Sequence, residues 1–189
     1  MVVGVYNRSL GQTFALALRE MKLEQACVVC GHEGLDELSP EVPSDVRFVL
    51  LISPPVVKRE KRQLTHFLPL QNTQVWYLKR DGEIEHRVVS PETFGLRSHS
   101  LSTVTGGSSA QNAVLLTKLL SNEMSTDDPI ENFVVMNAAL LLVVAGTATD
   151  ERDGVTKARE AIKSGKALEM LNEFRSLVSK SVAEAVVEA

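Results

Sequence analysis

The sequence predicts an α/β fold, a mixed sheet with helices packed on it, and three observations point there. Short runs of β-branched residues alternate with a helically spaced stretch near the N-terminus. Two strand-like runs bracket an Asp-Gly turn in the middle of the chain. The last third reads as successive helices, most opened or closed by a recognisable capping signal.

The elements follow in order. Val2 to Tyr6 is a short strand, and Asn7 or Ser9 can cap the helix after it, on which Leu10, Phe14, Leu18 and Met21 recur at helical spacing. Ala26 to Cys30 is a second apolar strand, closed by Gly31 and followed by a loop carrying Glu33-Gly34-Leu35-Asp36-Glu37. Thr73 to Leu78 reads as a strand with Trp76 and Leu78 on one face and Val75 and Tyr77 on the other. Asp81-Gly82 turns the chain, and Ile84 to Val89 returns, so a hairpin is expected. Ser90-Pro91-Glu92-Thr93 has the form of a helix start. Gly106-Gly107-Ser108-Ser109 leads into a helix over 110–122, and Asp128-Pro129 opens an apolar helix ending near Gly146. Thr149-Asp150-Glu151 caps a helix that Ser164-Gly165 ends, and a final amphipathic helix starts at Lys166.

Composition bounds the function. The chain has 189 residues, 44% hydrophobic and 23% charged, with 20 basic against 24 acidic side chains, which fits a globular protein with a real core. The formal net charge of −4 offers no electrostatic reason to expect nucleic-acid binding. Met1 to Tyr6 lacks the pattern of a secretory signal, and the longest apolar run, 133–146, is too short for a bilayer and is interrupted by Asn137. The expected location is the cytoplasm, with no membrane partner.

Residues 42–71 differ from their surroundings. They hold four of the seven prolines and five basic residues against two acidic, a balance of +3 that leaves −7 for the remainder. The stretch includes the basic knot Lys58-Arg59-Glu60-Lys61-Arg62 and keeps neither a helical nor a strand period. The expected division is therefore 1–41 as the start of a partial α/β domain, 42–71 as a disordered foreign insertion, 72–180 as the remainder of the domain, and 181–189 as a tail.

Asp36-Glu37 is the best chemical candidate. Two hard oxygen donors, in a loop leaving the C-terminal end of a strand, suit Mg²⁺ at the edge where open α/β sheets bind ligands; the bland reading is a solvated acidic loop. Cys27-Val28-Val29-Cys30 lies in a strand, where residues three apart point to opposite faces, so buried structural cysteines are expected rather than a redox or zinc pair. The Gly106-Gly107-Ser108-Ser109 turn can cradle a phosphate or simply cap a helix, and its spacing matches neither common nucleotide fingerprint. The histidines, His32, His66, His86 and His99, show no metal-ligand spacing. Asn137, polar on a buried helix, should bond to neighbouring backbone.

In series, these landmarks resemble anthranilate phosphoribosyltransferase, of the nucleoside-phosphorylase-like class. The pieces are Gly4-Val5-Tyr6, Val28-Val29 leading to Glu33-Gly34-Leu35-Asp36-Glu37, Ser90-Pro91-Glu92-Thr93-Phe94-Gly95-Leu96, Gly106-Gly107 and Gln111-Asn112-Ala113. They continue with Met136-Asn137-Ala138-Ala139, Gly146 and the stretch from Ala158 to Ala167. The resemblance implies phosphoribosyl pyrophosphate and anthranilate as substrates, with Mg²⁺ held by Asp36 and Glu37 against the leaving pyrophosphate. It also implies that this chain is the C-terminal part of the mixed-sheet catalytic domain of the nucleoside phosphorylase/phosphoribosyltransferase fold. The family's N-terminal helical domain, its G-T-G-G-D phosphate loop, its K-H-G-N segment and its anthranilate-binding arginine belong upstream of Met1. The expectation is that the isolated chain has little or no activity, and that a dimer is not to be assumed, since family dimerisation uses that helical domain.

The family normally passes from the acidic loop to the strand at Thr73 through a short connection, so residues 42–71 have no counterpart in the resemblance. Val42 codons begin with GT, and the codons for 64–71 can encode a branch sequence, a pyrimidine tract and a closing CAG. A retained intron is one reading, and a genuine lineage-specific loop is the other. Two functional alternatives stand beside the transferase: a related pyrimidine nucleoside phosphorylase-type enzyme, and a non-catalytic truncated product.

Overall fold

The structure, a computed structural model, describes residues 1–31, 73–125 and 127–187, with side chains through Ser179. The chain divides into two units: residues 1–93 with 98–100, and residues 94–97 with 101–189.

The first unit is built on a mixed four-stranded sheet in the order β1-β2-β3-β4. Strand β1 (Val2–Gly4) runs parallel to β2 (Ala26–Cys30), with Val3 opposite Val28. Strands β3 (Thr73–Leu78) and β4 (Ile84–Val89) continue it antiparallel, as the expected hairpin. The turn between them is held by Asp81 Oδ1, which accepts from Glu83 N–H at 2.9 Å. Every residue of β2 is buried, as are all of β3 except Tyr77. One core gathers Val5, Ala26, Val28, Cys30, Trp76 and Leu78 with Ala15 and Leu18 of helix α1 (Gly11–Glu20). Trp76 and Leu78 therefore share the face the alternation predicted.

The entry into α1 departs from expectation. Asn7 caps not the helix but a 3₁₀ turn over Arg8–Leu10, accepting from Ser9 N–H at 3.0 Å, and the helix continues from it. Its buried stripe is Gly11, Ala15 and Leu18, while Phe14 and Met21 are exposed. The cause is tertiary: a Cβ on Gly11 would collide with the Trp76 ring, so the ring seats against the bare backbone and turns that face of the helix inward. The helix expected from Ser90-Pro91 is a single 3₁₀ turn, Pro91–Phe94. Ser90 and Thr93 close it on themselves, with Ser90 N–H donating to Thr93 Oγ1 and Thr93 N–H to the Ser90 carbonyl.

The second unit is helical: a 3₁₀ turn at Leu101–Val104, then α2 (Ser109–Leu120), α3 (Pro129–Val144), α4 (Glu151–Lys163) and α5 (Lys166–Val187). Asp128 caps α3 through Ile130 N–H at 2.8 Å, and Asp150 caps α4 through Asp153 N–H at 2.9 Å. Helices α3 and α4 cross closely because Gly154 lies against the Ala139 backbone, where an added Cβ would come within 2.8 Å of the Ala139 carbonyl oxygen. A chain of polar contacts ties the same crossing. Arg159 of α4 donates to Glu131 Oε1 at 3.0 Å and to Asn132 Oδ1 at 2.8 Å, and Asn132 donates to Asp127 Oδ1 at 2.7 Å. Asp127 in turn pairs with Arg97. Asn137 donates to the Phe133 carbonyl at 2.9 Å, the structural role expected of it. Helix α5 continues through position 180 to Val187. Among the described residues, no helix is long and apolar enough to cross a membrane.

Candidate functional site

In the first unit, β1 and β2 are parallel, so both deliver their C-terminal ends to one edge of the sheet. Val5 N–H donates to the Val29 carbonyl at 2.8 Å, and β3 starts beside them with Gln74 opposite Cys30. The 3₁₀ turn at Arg8–Leu10 follows β1 from this edge, and Gly31 follows β2. Such an edge is where open α/β sheets take ligands. Asp36 and Glu37, the candidate Mg²⁺ ligands, follow Gly31 in sequence but lie outside the described residues, with His32, His66 and the basic knot 58–62. Among the described residues, no group of three or more His, Cys, Asp or Glu side chains could hold a metal ion.

The described part of the edge is partly polar. Thr73 and Gln74 are buried at the start of β3. Gln74 Oε1 lies 2.7 Å from His86 Nε2, and the His86 ring stacks on Trp76 with centroids 4.8 Å apart. His86 is thus held by a ring and an amide as part of the hairpin. Burial pushes the Cys30 thiol up from its ordinary value, and the positive charge of Arg8 opposes that push. Arg8 opens the 3₁₀ turn that follows β1, a cation that sequence reasoning did not single out. Its place directly after β1 was the available signal.

The cysteine pair does not converge. Cys30 belongs to the core under α1, whereas Cys27 projects from the other face of β2, and burial pushes its thiol up strongly. In the second unit, the start of α2 is occupied by its own side chains. Ser108 N–H donates to Gln111 Oε1 at 2.8 Å, Gln111 N–H to Ser108 Oγ, and Gly107 N–H to Asn112 Oδ1 at 2.8 Å. These are the donors a phosphate would need, so the turn acts as a capping box. An open, largely apolar groove of 560 Å³ runs beside it, lined by Thr105, Gly106, Gly107, Ala110, Gln111, Val114 and Leu115.

Comparison with known proteins places this architecture. Residues 56–168 match the family described as "Glycosyl transferase family, a/b domain", a range that opens inside the stretch 42–71. The anthranilate phosphoribosyltransferase of Schizosaccharomyces pombe is 39% identical over 176 residues, covering 93% of this chain and 41% of that protein. The one from Deinococcus radiodurans is 32% identical over 180 residues, covering 95% of this chain and 44% of that protein. Among solved structures, anthranilate phosphoribosyltransferase from Saccharomyces cerevisiae in complex with PRPP and Mg is similar with a TM-score of 0.71 at 26% identity. It covers 95% of this chain and 42% of its own. A variant of that enzyme with Mg bound gives 0.73 at 27% identity.

The fold is that of a transferase α/β domain. The chain belongs to the glycosyl transferase family, in its α/β domain, and spans about two-fifths of the length of the curated relatives it matches.

Proposed function

We propose that this chain carries the C-terminal part of the catalytic domain of an anthranilate phosphoribosyltransferase. Such an enzyme moves the phosphoribosyl group of phosphoribosyl pyrophosphate to the amino nitrogen of anthranilate. The C–O bond to pyrophosphate breaks, the C–N bond forms, and the amine loses a proton. The observation that carries this reading is the 39% identity to the Schizosaccharomyces pombe enzyme across 93% of the chain.

Within that function, Asp36 and Glu37 are proposed to hold Mg²⁺. Adjacent carboxylates are hard oxygen donors of the kind Mg²⁺ takes when it shares phosphate oxygens with a substrate. The bound ion supplies charge to the departing pyrophosphate. The described residues contribute the sheet edge at the ends of β1 and β2, fixed by their parallel pairing and by the packing of α1. The cytoplasm is the proposed location. Residues 42–71 are proposed as an insertion from a retained intron; mature message lacking these codons supports that, and mature message keeping them contradicts it.

The functional test joins these 189 residues to the preceding part of the Schizosaccharomyces pombe relative and follows anthranilate fluorescence with phosphoribosyl pyrophosphate and Mg²⁺. The joined polypeptide is expected to consume anthranilate, and the 189 residues by themselves to show little or no turnover. Phosphorolysis of a pyrimidine nucleoside in place of anthranilate consumption would move the assignment to the related phosphorylases.

A further inference from the structure

The two outer strands of the sheet are built differently. Strand β4 is antiparallel to its neighbour and carries Glu85, His86 and Arg87, with His86 and Arg87 exposed and Glu85 paired to both Lys79 and Arg87. Charged, antiparallel strands are how a mixed sheet ends without recruiting another backbone. Strand β1 is parallel to its neighbour, and residues 2–5 read Val-Val-Gly-Val, with neither charge nor proline. That is the composition of a strand inside a sheet, not of one that closes it.

One side of the β1 backbone is unused. The Met1 carbonyl accepts from Cys27 N–H at 2.8 Å, and Val5 N–H donates to the Val29 carbonyl at 2.8 Å, so positions 1, 3 and 5 bond towards β2. The two-residue period of a strand turns the N–H and C=O groups of Val2 and Gly4 the other way. Among the described residues, no strand lies on that side. Aligned donors and acceptors of this kind are complementary to another extended backbone, and Gly4, exposed and without a side chain, lets one approach closely. Length supplies the occupant. The Saccharomyces cerevisiae structure with PRPP and Mg matches 95% of this chain over only 42% of its own, so most of such an enzyme lies outside these residues.

We propose that β1 is an interior strand of the complete catalytic domain, and that a strand from the preceding part of the enzyme pairs with it through Val2 and Gly4. Strand β4 remains the true edge. This seam rests on the chain being the C-terminal part of a longer transferase; it adds where the two parts of the sheet join, and through which backbone groups.

The experiment is amide hydrogen exchange by NMR on the polypeptide joined to the preceding part of the Schizosaccharomyces pombe relative, with isotope labels only in the 189 residues. Lys79 N–H donates to the Glu83 carbonyl at 2.9 Å, which sets the N–H groups of His86 and Val88 on the outer side of β4 as an internal reference. Val2 and Gly4 are expected to exchange as slowly as Val3 and Val5, and at least about a hundredfold more slowly than His86 and Val88. Protons close to Gly4 should belong to the unlabelled part. Exchange of Val2 and Gly4 as fast as that of His86 and Val88 overturns the proposal. Slow exchange with only labelled protons near Gly4 overturns it too, because residues of this chain or of a second copy then cover the side. Anthranilate consumption is followed on the same sample. Consumption with an open β1 removes the seam and leaves the transferase reading standing. A β1 paired to unlabelled protons without consumption keeps the seam and counts against the transferase reading alone.

Discussion

In the first unit β2 buries every residue and β3 all but one, whereas in the second unit α5 is exposed at every described side chain from Asn172 to Ser179. The sheet unit draws its stability from contacts between residues far apart in sequence, and Trp76 is the hinge of that arrangement, packed on Gly11 and stacked on His86. The helical unit rests on local caps and on one close crossing, α3 against α4. Substitutions should therefore be most costly where non-local packing is concentrated and mildest where a cap acts within its own turn.

The largest effect is expected for Trp76→Ala. It empties the space between α1 and the hairpin, and urea unfolding should show a loss of about 3–5 kcal/mol. If the loss stays within that of a surface change, the first unit does not depend on this ring. Gly154→Ala comes next, since its Cβ would meet the Ala139 carbonyl oxygen. A cost of about 1–3 kcal/mol is expected, and an Ala that stabilises the protein would show that the helices can part freely. Asn132→Ala removes a buried amide shared by Arg159 and Asp127, at about 1–3 kcal/mol. Ser108→Ala removes one half of the α2 capping box and should cost about 1 kcal/mol, with the loss confined to exchange protection of the first turn of α2.

The smallest effect is a pH dependence of the β-hairpin. Hydrogen bonds from Arg87 and Lys79 hold the Glu85 carboxyl down at about 2. A carboxylate whose folded value is depressed stabilises the fold above its unfolded value, and that contribution fades as pH falls toward the folded value. Its loss is expected between about pH 4.5 and pH 2. Glu85→Gln should flatten the thermal midpoint in that window while leaving it little changed at pH 7 beyond the loss of an exposed pair. An identical acid slope in the variant would show that Glu85 does not carry this acid sensitivity.

Much of the fold was legible in sequence for a local reason. Strands β2, β3 and β4 each pair an apolar or alternating run with turn residues at its ends, and the observed bounds, Ala26–Cys30, Thr73–Leu78 and Ile84–Val89, are those the sequence predicts. Asp128-Pro129, Asp150 and Ser108 announced three helices because a cap acts on its own first turn. What escaped depends on partners distant in sequence. The buried stripe of α1 is set by Trp76, the Ser90-Pro91 start stops after one turn, and the Asn132–Arg159 contact joins two helices. The site was legible only as chemistry: Asp36-Glu37 stands out as a donor pair, whereas the polar start of β3, with Thr73 and Gln74 buried, depends on the sheet around it.

If Asp36 and Glu37 hold the metal of a phosphoribosyltransferase, phosphoribosyl pyrophosphate binding must depend on them. Isothermal calorimetry of phosphoribosyl pyrophosphate binding to the joined polypeptide, with and without Mg²⁺, tests it directly. Binding is expected to require Mg²⁺ and to be lost in the Asp36→Asn, Glu37→Gln double variant while its circular dichroism is unchanged. Undiminished Mg²⁺-dependent binding in that variant would contradict it.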